Sequence, residues 1–435
     1  MFYTIYNILS LFLLFPVVIY HLYRSLSRGR PPAFAERFGR IAAVDLAKIH
    51  NRPVIWLHAV SVGEAIAARP LLKALRKQYP GHAILISNTT ETGRGISSTF
   101  PEPDLCIYFP FDFLPAVRLT LQRIKPELII IMETEIWPNF TREATRLGIP
   151  VILANGRISD RSFSRYLKFR WFFCHALQQF SSLCMQTETD CERIIAIGAP
   201  RERTTATGNL KYDIPFHPVQ DEEKGRLRKN YIIPDNLTVI TAGSTHPGEE
   251  ELVLAAYLEL LTTNEDLFLV LVPRHPERAN EVAALLERMN LSYRRRTTIA
   301  AADVEMLNAG QVLLIDTIGE MMALYALADL AFVGGSLVPT GGHNLLEPAS
   351  LGIPFIFGPN MTNFREIANL VLHYGAGIQV ETAAELADSL RALLTSLELR
   401  RVLGQNGLKM MKETGGATKR HIEIIAGYLS VNGKQ

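Results

Sequence analysis

Cysteine is scarce in these 435 residues. The four present (Cys106, Cys174, Cys184 and Cys191) show no C-x-x-C spacing and no histidines at zinc-finger distances. That argues against a disulfide framework and a structural metal, and predicts reduced, partly buried thiols of a cytosolic compartment. Net charge is nearly absent as well: 45 Lys and Arg against 43 Asp and Glu leave +2. No basic run is interleaved with aromatics, so no nucleic-acid partner is expected. Neither G-x-G-x-x-G nor a Walker A sequence occurs, which weakens a dinucleotide or NTPase reading. Low-complexity segments and short-period repeats are missing too.

Charge is missing altogether from Met1 to Tyr23, where Ile5, Ile8, Leu9, Leu11 to Phe15, Val17, Val18 and Ile19 accumulate instead. A bilayer core is spanned by ~20 residues, so this segment is long enough to cross one. A cleaved signal peptide would need a basic leading region and a small-residue cleavage site. Arg24, Arg28, Arg30, Arg37 and Arg40 follow at once, and the positive-inside rule then places the bulk of the chain in the cytoplasm. Asn7, Pro16 and His21 weaken the span, which leaves a helix lying in the membrane interface as the alternative.

Beyond that segment, short apolar runs alternate with helical stretches. The expected strands are 54–57, 83–87, 128–132, 151–154 and 203–207, then 237–242, 267–272, 312–315, 330–333 and 354–357. Such alternation predicts an α/β chain of parallel sheets covered by helices on both faces. A stretch with Pro215, His217 and Pro218, followed by the charged run Asp221 to Lys224, reads as a linker. The expected organisation is an anchor (1–23) and two doubly wound domains (24–213 and 214–435) facing each other across a cleft.

In open α/β sheets, ligands bind beyond the carboxyl ends of the strands. Several residues with chemistry fall there. Glu64 follows the strand at 54–57 in the run His58-Ala59-Val60-Ser61-Val62-Gly63-Glu64. A carboxylate so placed is a candidate general base for a hydroxyl. Ser61-x-x-Glu64 is equally a capping box, and an acid suits a helix N-terminus for dipole reasons alone. Glu133 and Glu135 follow the strand at 128–132, and a continuing strand would point them to opposite faces. Lys211 lies at the expected domain junction, where a lysine is more commonly a salt-bridge partner than a catalytic group.

In the second half, Arg274 at a strand's carboxyl end suits a phosphate or carboxylate, or simply solvates a helix start. Gly334-Gly335 and Gly341-Gly342 would let backbone N–H groups approach an anion, and a helix starting near Asn344 would favour it. Glu347, placed one helical turn inside, suits ribose hydroxyls or is another helix-start acid.

Taken in order, 58–64, Met132 to Asn139, Gly208 to Asp213, Val272 to Arg278, and Gly334 to Leu337 with Gly341 to Asn344 resemble the 3-deoxy-D-manno-octulosonic acid (Kdo) transferases. These are membrane-anchored GT-B glycosyltransferases of lipopolysaccharide assembly. The resemblance runs from the N-terminal segment to about Gly377. It implies CMP-Kdo as donor, no further cofactor and no metal, a lipid A precursor as acceptor, and an inner-membrane location. Glu64 would be the catalytic base, and Glu133 and Lys211 would stabilise the transition state. Pro273, Arg274, Ile318, Gly319, Glu320, Asn344, Leu345, Leu346 and Glu347 would hold CMP. Two other readings share the architecture: a GT-B nucleotide-sugar epimerase, and a non-catalytic, membrane-tethered nucleotide-sugar-binding protein.

Overall fold

The computed structural model describes residues 2–28, 33–299 and 305–432. Met1 and Arg30, which the sequence reading places in the anchor and its basic flank, lie outside them. The chain divides into two compact units, Met1–Asp213 with Gly415–Gln435, and Ile214–Thr414.

The first unit is built on seven parallel strands: β1 (Val54–His58), β2 (Ala83–Asn88), β3 (Leu105–Tyr108), β4 (Leu128–Met132), β5 (Val151–Gly156), β6 (Ser182–Met185) and β7 (Thr204–Ala206). Their order across the sheet is β3-β2-β1-β4-β5-β6-β7. Helices cover both faces, so the central strands are apolar throughout. Alternation sends Trp56 into one core with Leu85 and Ile131, and Ile55 and Leu57 into the other with Ile84 and Ile130. The second unit repeats the plan with β8 (Thr238–Thr245), β9 (Leu267–Pro273), β10 (Tyr293–Arg295), β11 (Val312–Leu314), β12 (Leu330–Val333), β13 (Phe355–Phe357) and β14 (Ile378–Gln379). Its order is β10-β11-β9-β8-β12-β13-β14. The winding direction reverses between β1 and β4 in one sheet and between β8 and β12 in the other. These are the two points where a doubly wound sheet opens a crevice for ligands.

Four strands, β3, β6, β10 and β14, escape the sequence reading. Three of them are sheet edges and β6 is next to one. β10 reads Tyr-Arg-Arg and β14 has two residues, so neither makes an apolar run.

The chain's last helix departs from the sequence reading, which gave 214–435 to the second domain. Helix Ala417–Asn432 packs instead in the first unit, where Ile422, Ile425 and Leu429 join Leu71, Leu72, Leu75 and Leu210. His421 pins it there. Its Nδ1 meets Ala417 O at 2.7 Å, and the Asn155 N–H donates to its Nε2 at 3.1 Å. That is the neutral tautomer, and burial pushes the imidazole down to about 4. At the other end of the chain, helix Phe2–Arg28 contains one stretch, Phe2–Tyr20, long and apolar enough to cross a membrane.

Candidate active site

Glu64 sits in the first turn of helix Val62–Gln78, three residues after the N-cap Ser61. Neither bond of a capping box forms. The Ser61 hydroxyl caps no backbone N–H and donates to Glu64 Oε1 at 3.2 Å, while the Val60 N–H donates to Oε2 at 2.7 Å. The carboxylate is buried, at 8% exposure. Burial is the main force raising its pKa to about 7, and the charges of Glu133 and Glu135 add to it against the two hydrogen bonds. A base poised near neutrality is what proton abstraction requires.

Glu133 stands directly across the switch point, because β1 pairs with β4. The alternation argument for Glu133 and Glu135 does not apply. β4 stops at Met132, and Glu133 adopts a left-handed backbone with φ of 55°. A non-glycine residue in that region stores strain, which the surrounding structure has to hold in place. Here the Glu133 N–H donates to Ala154 O at 2.8 Å. Both carboxylates bear on Glu64, and burial with the Glu133 charge raises Glu135 as well.

Lys211 extends from the short turn Leu210–Tyr212 and forms an ion pair with Glu133 at 3.5 Å. Asn155 positions that turn. It too is left-handed, at φ 57°, where the β5–β6 register shifts, and its Oδ1 accepts the Leu210 N–H at 2.9 Å. Sequence reasoning missed Asn155, although an Asn ending an apolar strand is a fair signal of a left-handed residue.

In the second unit a cavity of about 500 Å³ opens at the carboxyl ends of β8, β9 and β11. It gathers Pro273, Arg274, Ile318, Gly319, Glu320, Asn344 and Glu347. Leu345 and Leu346 do not line it: both side chains are fully buried in the core. Arg274 is exposed, and among the described residues its guanidinium has no hydrogen-bond or ion-pair partner. Arg278 nearby is bound to Glu250 at 2.7 Å. Glu320, by contrast, is fully engaged. Tyr231 donates to its Oε2 at 2.6 Å, Arg296 Nε at 3.1 Å, and Thr317 to Oε1. These hydrogen bonds outweigh burial, the largest single effect, and hold its carboxyl below the usual range. The Glu320 side chain therefore braces its turn, leaving the backbone of Ile318 and Gly319 to face a ligand.

Two readings of the glycines change. Gly341 and Gly342 have φ of 102° and 77°, and a Cβ on either would strike Asn363 or Met361. Chain geometry and close packing account for both without an anion. The helix beyond them, Leu346–Ser350, has five residues, so Glu347 lies in its first turn rather than one turn inside. The Gly334-Gly335 loop does cradle an anion, but an internal one. The buried Glu249 carboxylate accepts N–H bonds from Gly335 at 2.6 Å, Ser336 at 3.0 Å and Leu337 at 2.9 Å. His246 and His343, also unforeseen as site residues, meet through their Nε2 atoms at 2.8 Å with stacked rings. Burial is the main cause lowering His343 to about 4, with His246 and Arg274 adding to it.

Two parallel seven-stranded sheets in tandem define the GT-B class. The solved UDP-GlcNAc 2-epimerase from Neisseria meningitidis, bound to UDP-GlcNAc, superposes with a TM-score of 0.53, covering 87% of this chain and 99% of that one. Identity there is 16%, so the likeness is one of fold. A family model described as 3-deoxy-D-manno-octulosonic-acid transferase (kdotransferase) matches residues 32–214. A 3-deoxy-D-manno-octulosonic acid transferase from Haemophilus influenzae is 37% identical over 380 residues, 87% of this chain and 88% of that one. Another from Rickettsia bellii is 32% identical over 430 residues, 98% of this chain and 99% of that one. The chain belongs to the Kdo transferase family, and is a glycosyltransferase of lipopolysaccharide synthesis.

Proposed function

We propose that the chain transfers Kdo from CMP-Kdo to a hydroxyl of a lipid A precursor, with inversion at the anomeric carbon and without a metal. The observation that carries this reading is the buried Glu64 carboxylate, raised to about 7 and held by Val60 and Ser61 at the switch point of the first sheet. Glu64 accepts the proton of the attacking hydroxyl as the new C–O bond forms, a contribution of roughly 10²–10⁴-fold. The bond from the anomeric carbon to the phosphate oxygen breaks, and its electron pair leaves with CMP. Positive charge develops on the sugar and negative charge on the phosphate. Glu133 is assigned to the first. Lys211 and the unpaired Arg274 are assigned to the second, since fixed charges aimed at developing charge lower the barrier. Direct attack by a single hydroxyl inverts the centre. The donor has one phosphate, and the reading invokes no cofactor beyond it. Asn344, Glu347 and the 318–320 turn are assigned to CMP, with Leu345 and Leu346 contributing backbone at most.

We also place the protein at the cytoplasmic face of the bacterial inner membrane through its first helix. Tyr6 donates to Asp112 at 2.7 Å, Asn139 donates to Asn7 at 2.7 Å, and Phe2 stacks on His175. These contacts support a helix held against the first unit at the membrane surface over one that crosses free of it.

The test is CMP release from CMP-Kdo with and without a lipid A precursor, with mass spectrometry of the product. Release that depends on the lipid, together with a product heavier by Kdo, is the expected result. Donor binding without release in either condition would leave a nucleotide-sugar-binding protein.

A further inference from the structure

An apolar opening in the first unit plays no part in the chemistry above. A cavity of about 500 Å³ lies between the first helix and the loops at the carboxyl ends of β2, β3 and β4. Ser10, Leu13, Leu14 and Val17 of the helix line it, with Phe109, Phe111 and Trp137 from the loops. That volume is in the range of ligand pockets, about 300–1,000 Å³. We propose that this cavity receives one acyl chain of the glycolipid acceptor, an inference that rests on the lipid-acceptor reading above.

Three observations converge on that occupant. The helix wall belongs to a segment whose outward residues are apolar and open: Leu11, Phe12 and Phe15 are 57%, 72% and 72% exposed. Such a surface belongs in hydrocarbon, so the cavity opens where acyl chains are. The cavity's own wall adjoins the candidate base. Thr89 lines it, and the Thr89 N–H donates to Val60 O at 3.3 Å, while the Val60 N–H donates to Glu64. Trp137 lies four residues beyond Glu133 on the same loop. A chain held here therefore emerges beside the carboxylate that must meet the acceptor hydroxyl. Finally, the wall carries a buried cation. Arg37 is 2% exposed, donates from Nη2 to Thr89 O at 2.8 Å, and leaves its Nε without a partner. An unpaired guanidinium N–H beside an apolar slot fits an amphiphile with an anionic or carbonyl-bearing head. A purely hydrocarbon guest would leave it unsatisfied.

The experiment uses the full chain in phosphatidylethanolamine–phosphatidylglycerol vesicles. Its acceptors are the acylated lipid A precursor and the fully deacylated sugar phosphate. Ser10→Phe and Leu14→Trp should fill the cavity. Each is expected to raise the apparent KM for the acylated acceptor by about tenfold or more, while transfer to the deacylated acceptor and CMP affinity change by less than about twofold. Wild-type protein is also irradiated with an acceptor carrying a diazirine in its acyl chain. Label should appear on the 9–17 or 109–113 peptides and be competed by unlabelled acceptor but not by phosphatidylglycerol. Equal losses with both acceptors, or label competed equally by phosphatidylglycerol, would overturn the proposal and leave a phospholipid-filled groove. A wild-type protein that uses no acylated acceptor at all overturns the lipid-acceptor reading itself, a result separable because it precedes any variant.

Discussion

At the scale of single residues, Glu64 separates a chemical role from a capping one. Glu64→Gln should abolish transfer while CMP affinity, measured by calorimetry, stays within about twofold of wild type. A carboxyl raised in the fold binds its proton more tightly than in the unfolded chain. Its stability contribution is therefore intact near pH 4.5 and declines as pH rises through about 7. The amide removes that decline, so at pH 8 the variant's Tm should equal or exceed that of wild type. A capping role alone predicts retained activity and a loss of ~0.5–2 kcal/mol. Wild-type kcat/KM should rise with pH to a plateau, with its midpoint near 7, because the free base must be ionised. Arg274→Ala addresses the other unit. Losing one charge-assisted contact costs ~1.5–3 kcal/mol, so the CMP dissociation constant should rise roughly tenfold to a hundredfold. Unchanged affinity would return Arg274 to the role of a solvated helix start.

At the scale of elements, the first helix is the natural test. Neither the Glu64 cluster nor the cavity around Arg274 includes a residue of Phe2–Arg28. A protein lacking residues 1–23 should therefore bind CMP normally and lose transfer to lipid in vesicles. Calorimetry reads the first quantity and product formation the second. Basic residues near an anionic surface add ~1 kcal/mol each. Arg24, Arg28 and Arg40 remain in both proteins, so the transfer each retains should fall as salt rises. Equal rates for both proteins at all salt concentrations would reduce the helix to a tether.

At the scale of the whole molecule, the last helix ties chain order to fold. Deleting residues 415–435 strips Ile422, Ile425 and Leu429 from the first unit's core. Each large apolar deletion from a core costs ~2–5 kcal/mol, so the first unit should unfold. CMP binding should persist, because every residue of that cavity lies within 214–414. Acid should act on the same unit. His58 and His421 are lowered to about 3 and about 4, chiefly by burial. A lowered imidazole leaves stability intact above its ordinary pKa of 6.5 and removes it as pH falls, at roughly 1.4 kcal/mol per pH unit for each group. Glu64 gains stability over the same interval, so it is denaturant titrations of Glu64→Gln at pH 7 and pH 5 that should show the first unit weakening.

Much of this protein was legible from its residues alone, and what was legible was local. Central parallel strands are buried on both faces, so β1, β4, β8, β9 and β12 announce themselves as apolar runs. The residues after them, Glu64, Glu133 and Arg274, are thereby placed at the sheets' carboxyl ends. Edge strands lack that double burial, and β10 and β14 stayed invisible for that reason. The rest depended on partners distant in sequence. Only the fold puts Glu133 across from Glu64, sets Asn155 under the Lys211 turn, and spends the N–H groups of Gly335, Ser336 and Leu337 on Glu249. Helix periodicity shows that 417–432 has an apolar face, but which unit it covers depends on which sheet leaves a face open. The same holds for the carboxylate. Sequence put Glu64 at a helix start, whereas its pKa comes from burial and two neighbouring charges, which only packed chain segments can supply.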